Sequence, residues 1–139
     1  MKHEDLRICF VGDSYVNGTG DPEYLGWVGR VAVAARRKGH NLTSYNLGIR
    51  RETSADIAKR WRQEVKPRLP SGCTPFVVFS FGTNDTTLEH GHLRVGESQS
   101  VENARGMLRA AKQLSSVAMI GPPPTADAEQ NLGTHRLSH

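Results

Sequence analysis

Four short apolar runs, separated by stretches with helical spacing, organise this chain. Leu6 to Val11 (LRICFV) is apolar and β-favouring and stops at Gly12-Asp13-Ser14, as a buried parallel strand stops at a turn. From about Tyr24 to Lys38 apolar side chains recur at Trp27, Val31, Ala34 and Ala35, a helical spacing that Gly39 ends. Leu42 to Leu47 alternates weakly up to Gly48, after which Thr53 can cap a helix carrying Ile57 and Trp61 one turn apart. Pro67 and Pro70 close that helix. Pro75 to Phe81 is the strongest strand pattern in the chain and is expected at the centre of the sheet, bounded by Gly82-Thr83-Asn84-Asp85.

Residues 86 to 99, with Glu89-His90-Gly91-His92 among them, read as a long loop. A helix is expected from Ser100 with the stripe Val101, Ala104, Leu108 and Ala111, which Gly106 weakens by about 1 kcal/mol relative to alanine. Val117 to Ile120 gives a fourth short strand that Gly121-Pro122-Pro123-Pro124 cannot continue. A further helix can begin at Thr125 or Ala126, and Gly133 should end it. Strands alternating with helices in this way predict an α/β fold: a parallel sheet with right-handed crossovers and helices on both faces.

The composition adds limits. The 139 residues suit one domain, with 37% hydrophobic and 23% charged residues and no low-complexity tract. The excess of 18 Lys and Arg over 14 Asp and Glu is spread over separate clusters with no aromatic ladder, so no nucleic-acid partner is expected. Cys9 lies in an apolar run and Cys73 in a turn, without any CxxC pair; structural thiols are expected, with no metal site and no cofactor. The N-terminal residues Met1 to Asp5 are polar, and Leu6 to Val11 is too short for a signal core or a membrane span. The expectation is a cytoplasmic protein without a membrane partner.

Chemistry gathers at three turns that directly follow the first three strands: Gly12-Asp13-Ser14, Asn46-Leu47-Gly48 and Gly82-Thr83-Asn84-Asp85. In a parallel sheet these share one edge, where ligands bind. A serine at a strand-to-helix turn presents its hydroxyl beside backbone N–H groups, as a nucleophile next to an oxyanion site must. A glycine lets a substrate oxygen approach its N–H without a Cβ in the way, and an asparagine amide adds a neutral donor. Taken singly, each is more often ordinary turn chemistry. Asp13 reads as a brace for its own turn.

In their order and placement these segments resemble the SGNH (GDSL) ester hydrolases. Val11-Gly12-Asp13-Ser14-Tyr15, Asn46-Leu47-Gly48 and Phe81-Gly82-Thr83-Asn84-Asp85 are similar to the first three blocks of that family, with Tyr15 where the family's name has leucine. The likeness runs from about Leu6 to Pro124. It implies a flavodoxin-like three-layer sandwich with strand order 2-1-3-4, and a single domain over residues 1–139 that is shortened at its C-terminus and lacks the fifth strand. It also implies Ser14 as nucleophile and backbone donor, Gly48 and Asn84 as the other oxyanion donors, and a small acyl or acetyl ester or thioester as substrate.

The family's DxxH block, which supplies the histidine base and its aspartate, has no match among the 139 residues. Of the six histidines, His3 and His40 are expected at the amino ends of strands, and His135 and His139 beyond a segment that leaves the active edge. His90 and His92 lie on the correct edge, with Glu89 or Asp85 as candidate orienters, although exposed loop histidines are the plainer expectation. Two functions remain open: a serine ester hydrolase impaired by the absent block, and a non-catalytic α/β binding module derived from that fold. A flavodoxin-like flavin binder is a weaker third, since the first turn lacks a hydroxyl-rich phosphate loop. The uncovered fourth strand predicts a homo-oligomer, formed by edge pairing or by exchange of Thr125 to His139.

Overall fold

The structure is a computed structural model that describes residues 4–124. The helix expected from Thr125, the exchanged segment and the histidines His3, His135 and His139 lie outside the described residues. The chain runs β1 (Leu6–Gly12), α1 (Ser14–Asn17), α2 (Gly26–Arg37), β2 (Leu42–Gly48), α3 (Ser54–Val65) and β3 (Thr74–Ser80). A hairpin of β4 (Leu88–Glu89) and β5 (His92–Leu93) follows, then α4 (Glu97–Lys112) and β6 (Ser116–Met119). β1, β2, β3 and β6 form one parallel sheet in the order β2-β1-β3-β6, the expected arrangement of the first four sheet strands.

The continuous apolar character of β1 and β3 has a direct cause, because alternate side chains enter two different cores. Cys9, Val11, Val77 and Phe79 pack with Ile57, Trp61 and Val65 of α3 and Met107 and Ala111 of α4. Phe10 and Val78 pack on the other face with Val16 of α1 and Val28 of α2. Edge-to-face aromatic pairs fix the packing, with Trp61 5.3 Å from Phe79 on one side and Phe10 5.6 Å from Trp27 on the other. Burial pushes the Cys9 thiol up to about 12, so it remains a protonated apolar filler.

Three local expectations shift. α2 buries Val28 and leaves Val31 and Val33 exposed, so its inward face is rotated from the stripe read in the sequence. α4 begins at Glu97 and buries Met107, while Val101 is exposed. The stretch expected as a long loop is largely ordered: β4 and β5 pair antiparallel around His90-Gly91, both at positive φ as a type I′ connection requires. The Val95 N–H then bonds the Asp85 carbonyl and draws the hairpin back to the sheet. Among the described residues no helix is long and apolar enough to cross a membrane.

Candidate active site

The register brings the ends of three strands level. Gly12 pairs with Gly48 on one side and with Ser80 on the other, and neighbouring strands lie roughly 4.8 Å apart. All three turns singled out in the sequence therefore leave the same edge of the sheet. Gly12 has to be glycine for lack of room: a Cβ there would lie 2.0 Å from the Ser80 carbonyl oxygen.

Ser14 is half-buried and is the first residue of α1. The carboxylate of Asp13, the N-cap, accepts the Tyr15 N–H at 3.0 Å, and the Asp13 carbonyl accepts the Asn17 N–H. This is the turn-bracing arrangement expected of Asp13. At its first position the Ser14 N–H has no partner within the helix, which suits it to donate toward a ligand. Gly18 ends α1 in the left-handed region at φ 84° and packs against Gly26, where a Cβ on Gly18 would come within 2.9 Å of the Gly26 Cα. The contact sets the first turn of α2 against the end of α1.

Gly48 closes β2 directly against α1. A Cβ on it would lie 2.3 Å from the Asn17 nitrogen and 2.7 Å from the Asp13 carbonyl oxygen. Its N–H donates to Asn46 Oδ1 at 3.0 Å, and Asn46 Nδ2 donates to the Val16 carbonyl at 2.7 Å. Asn46 thus clips the end of β2 to α1, a role its place in an alternating strand did not reveal.

Asn84 is buried in a single 3-10 turn, Thr83–Thr86, that leaves β3 through Gly82 at φ 128°. Its Nδ2 donates to the Glu52 carbonyl at 2.9 Å, tying it to the bridge between β2 and α3. The neighbouring Thr83 hydroxyl is buried and has no hydrogen-bond partner among the described residues.

Asp85 has a different task from the one considered for it. It is 2% exposed; Oδ1 accepts the Ser54 N–H at 2.7 Å and Oδ2 accepts the Ser100 hydroxyl at 2.6 Å. A carboxylate at the N-terminus of α3, bonded also to α4, braces two helices and is not free to orient a histidine. Glu89, the other candidate orienter, lies 3.4 Å from the Arg94 guanidinium. His90 and His92 are exposed on the hairpin, and exposed His40 precedes β2 at the opposite edge. Among the described residues no three His, Cys, Asp or Glu side chains group as metal ligands would.

One residue near the edge went unnoticed in the sequence. Arg60, within a basic run that resembles an ordinary solvated helix face, donates Nη2 to the Gly12 carbonyl at 3.0 Å, Nε to Glu52 and Nη1 to Glu64 at 2.6 Å. The only sequence signal for it is the i, i+4 spacing to Glu64.

Comparison with known proteins points to one family and one fold. The pattern of the GDSL-like Lipase/Acylhydrolase family matches residues 10–137. Among solved structures, AlinE4, an esterase of the SGNH-hydrolase family, superposes with a TM-score of 0.68 at 22% identity, covering 86% of this chain and 62% of that one. Axe2, an acetylxylan esterase from Geobacillus stearothermophilus, gives 0.72 at 20% identity, with 92% and 64% covered. The psychrotrophic esterase EstA from Pseudoalteromonas sp. gives 0.66 at 20% identity, with 84% and 61% covered. At these identities the likeness is one of fold, and the chain spans less than two thirds of the length of each. No curated protein matches the sequence.

Proposed function

The chain belongs to the GDSL-like lipase/acylhydrolase family, and from that premise we propose that it is a serine ester hydrolase with Ser14 as nucleophile and Gly48 and Asn84 as oxyanion donors. The observation that carries the proposal is the level register of Gly12, Gly48 and Ser80, from which all three turns leave one sheet edge. Ser14 Oγ attacks the ester carbonyl carbon, and the carbonyl π electrons move onto oxygen. The resulting oxyanion takes hydrogen bonds from the N–H groups of Ser14 and Gly48 and from Asn84 Nδ2, donors of the kind that stabilise developing charge. Collapse expels the alcohol, which carries away the proton that left Ser14, and water then hydrolyses the acyl-serine.

The substrate is a small acyl or acetyl ester or thioester, in keeping with the acetylxylan esterase among the structural relatives. Turnover by these 139 residues is weak, because a serine hydroxyl without a partner base is a poor nucleophile at neutral pH and no DxxH occurs in the sequence. Oxyanion donors alone still sustain a residual rate. The test is hydrolysis of p-nitrophenyl acetate by the chain and by Ser14→Ala. A slow release that Ser14→Ala abolishes supports the proposal, and equal release by the two proteins overturns it.

A further inference from the structure

We infer that Arg60 is a positioning residue that holds Ser14, Gly48 and Asn84 in one constellation, an inference that rests on the roles proposed above for those three. A guanidinium offers five N–H donors in a rigid fork, and this one ties α3 to two other segments. Nη2 donates to the Gly12 carbonyl, two residues before Ser14, across 48 positions of sequence. That same carbonyl accepts the Ile49 N–H at 3.1 Å, next to Gly48. One oxygen at the end of β1 is therefore held both by the bridge that follows Gly48 and by Arg60.

Nε binds the Glu52 carboxylate. Glu52 in turn offers its main-chain carbonyl to Asn84 Nδ2 at 2.9 Å. Arg60 so fixes the residue on which the Asn84 amide leans. The third arm, Nη1, goes to Glu64 one turn along α3, at the rim. The Arg60 side chain is only 16% exposed and Glu52 19%, so this is an enclosed network in which water replaces lost partners poorly. An exposed ion pair would contribute little; the enclosed fork fixes directions and not only charge. A lysine would supply a single ammonium and could not reach the same three acceptors in the same geometry.

The experiment compares Arg60→Met, Arg60→Lys and, as a control, Glu102→Gln in the exposed Arg105–Glu102 pair of α4, in the full chain. One readout is the Asn84 side-chain NH2 cross-peak in proton–nitrogen NMR spectra, identified by its loss in Asn84→Asp. The other is the rate of Ser14 labelling by a fluorophosphonate. Arg60→Met should displace the Asn84 cross-peak and slow labelling by about 10²-fold, the scale for a misplacement near 1 Å. Glu102→Gln should leave both unchanged. A merely structural Arg60 would lower the melting temperature while the cross-peak and the rate, measured well below it, stay at wild-type values, and that result overturns the inference. Arg60→Lys decides by the same two readouts should Arg60→Met fail to fold. If wild-type Ser14 does not label, the nucleophile assignment is what fails, and the Asn84 cross-peak alone decides the role of Arg60.

Discussion

The carboxamide of Asn46 accepts the Gly48 N–H at 3.0 Å while its own NH2 donates to the Val16 carbonyl. Each backbone N–H has one proton to give. Under the proposed assignment, a substrate oxyanion at Gly48 has to share or replace the Asn46 oxygen. The exchange is favourable in direction, because bonds to an ionised acceptor are roughly twice as strong as those between neutral groups. In the free protein the same contact clips α1, and with it Ser14, to the end of β2.

Under the proposed mechanism, Asn84→Ala removes one of the three donors to the oxyanion. The expected result is a loss of about 10²-fold or more in the hydrolysis rate constant with a smaller change in KM. Steady-state kinetics on p-nitrophenyl acetate check this, and a change confined to KM would assign Asn84 to binding alone.

His90 and His92 are exposed on the β4–β5 hairpin, and the two candidate orienters are bound elsewhere, Asp85 to Ser54 and Ser100 and Glu89 to Arg94. Replacing both histidines by alanine should leave the hydrolysis rate unchanged. A loss in the double variant would instead identify one of them as the base.

Acid should weaken the start of α3. The Thr53 N–H holds the Asp56 carboxyl below its ordinary value of 3.8, helped by the Thr53 hydroxyl and Arg94, within a capping box. A carboxyl depressed in the folded state adds stability above its unfolded pKa and loses it as pH falls through the folded value. The melting temperature of Asp56→Asn should therefore fall short of wild type at pH 6, and the gap should narrow toward pH 3. A gap independent of pH would show that the Asp56 charge adds nothing.

The outer edge of β6 has no partner strand among the described residues, and Met119 and Ile120 are exposed beside it. Open apolar edges template pairing. The chain is expected to sediment as a dimer or larger species at micromolar concentration; a monomer across that range would show that the edge is covered within one chain.

Much of this architecture is legible in the sequence where one physical demand dominates. β1 and β3 must be apolar at successive positions because both faces are covered, and Thr53 announces α3 because a helix start needs an acceptor. The turns after β1, β2 and β3 are marked by Gly, Ser and Asn, so the candidate edge is visible too. Contacts between distant segments are not. The Arg60 bond to the Gly12 carbonyl spans 48 residues, and the Asp85 bond to the Ser54 N–H spans 31. No local pattern encodes either bond, and Arg60 within Lys59-Arg60-Trp61-Arg62 has the look of a solvated charge. The rotation of α2 that buries Val28 rather than Val31 likewise depends on how that helix meets the sheet.

The most direct test of Ser14 as nucleophile is treatment of the 139-residue chain with a fluorophosphonate, followed by intact mass and peptide mapping. The account predicts a single slow adduct on the peptide containing Ser14, lost in Ser14→Ala and slowed in Asn84→Ala. An adduct on another residue with Ser14 unmodified would contradict it.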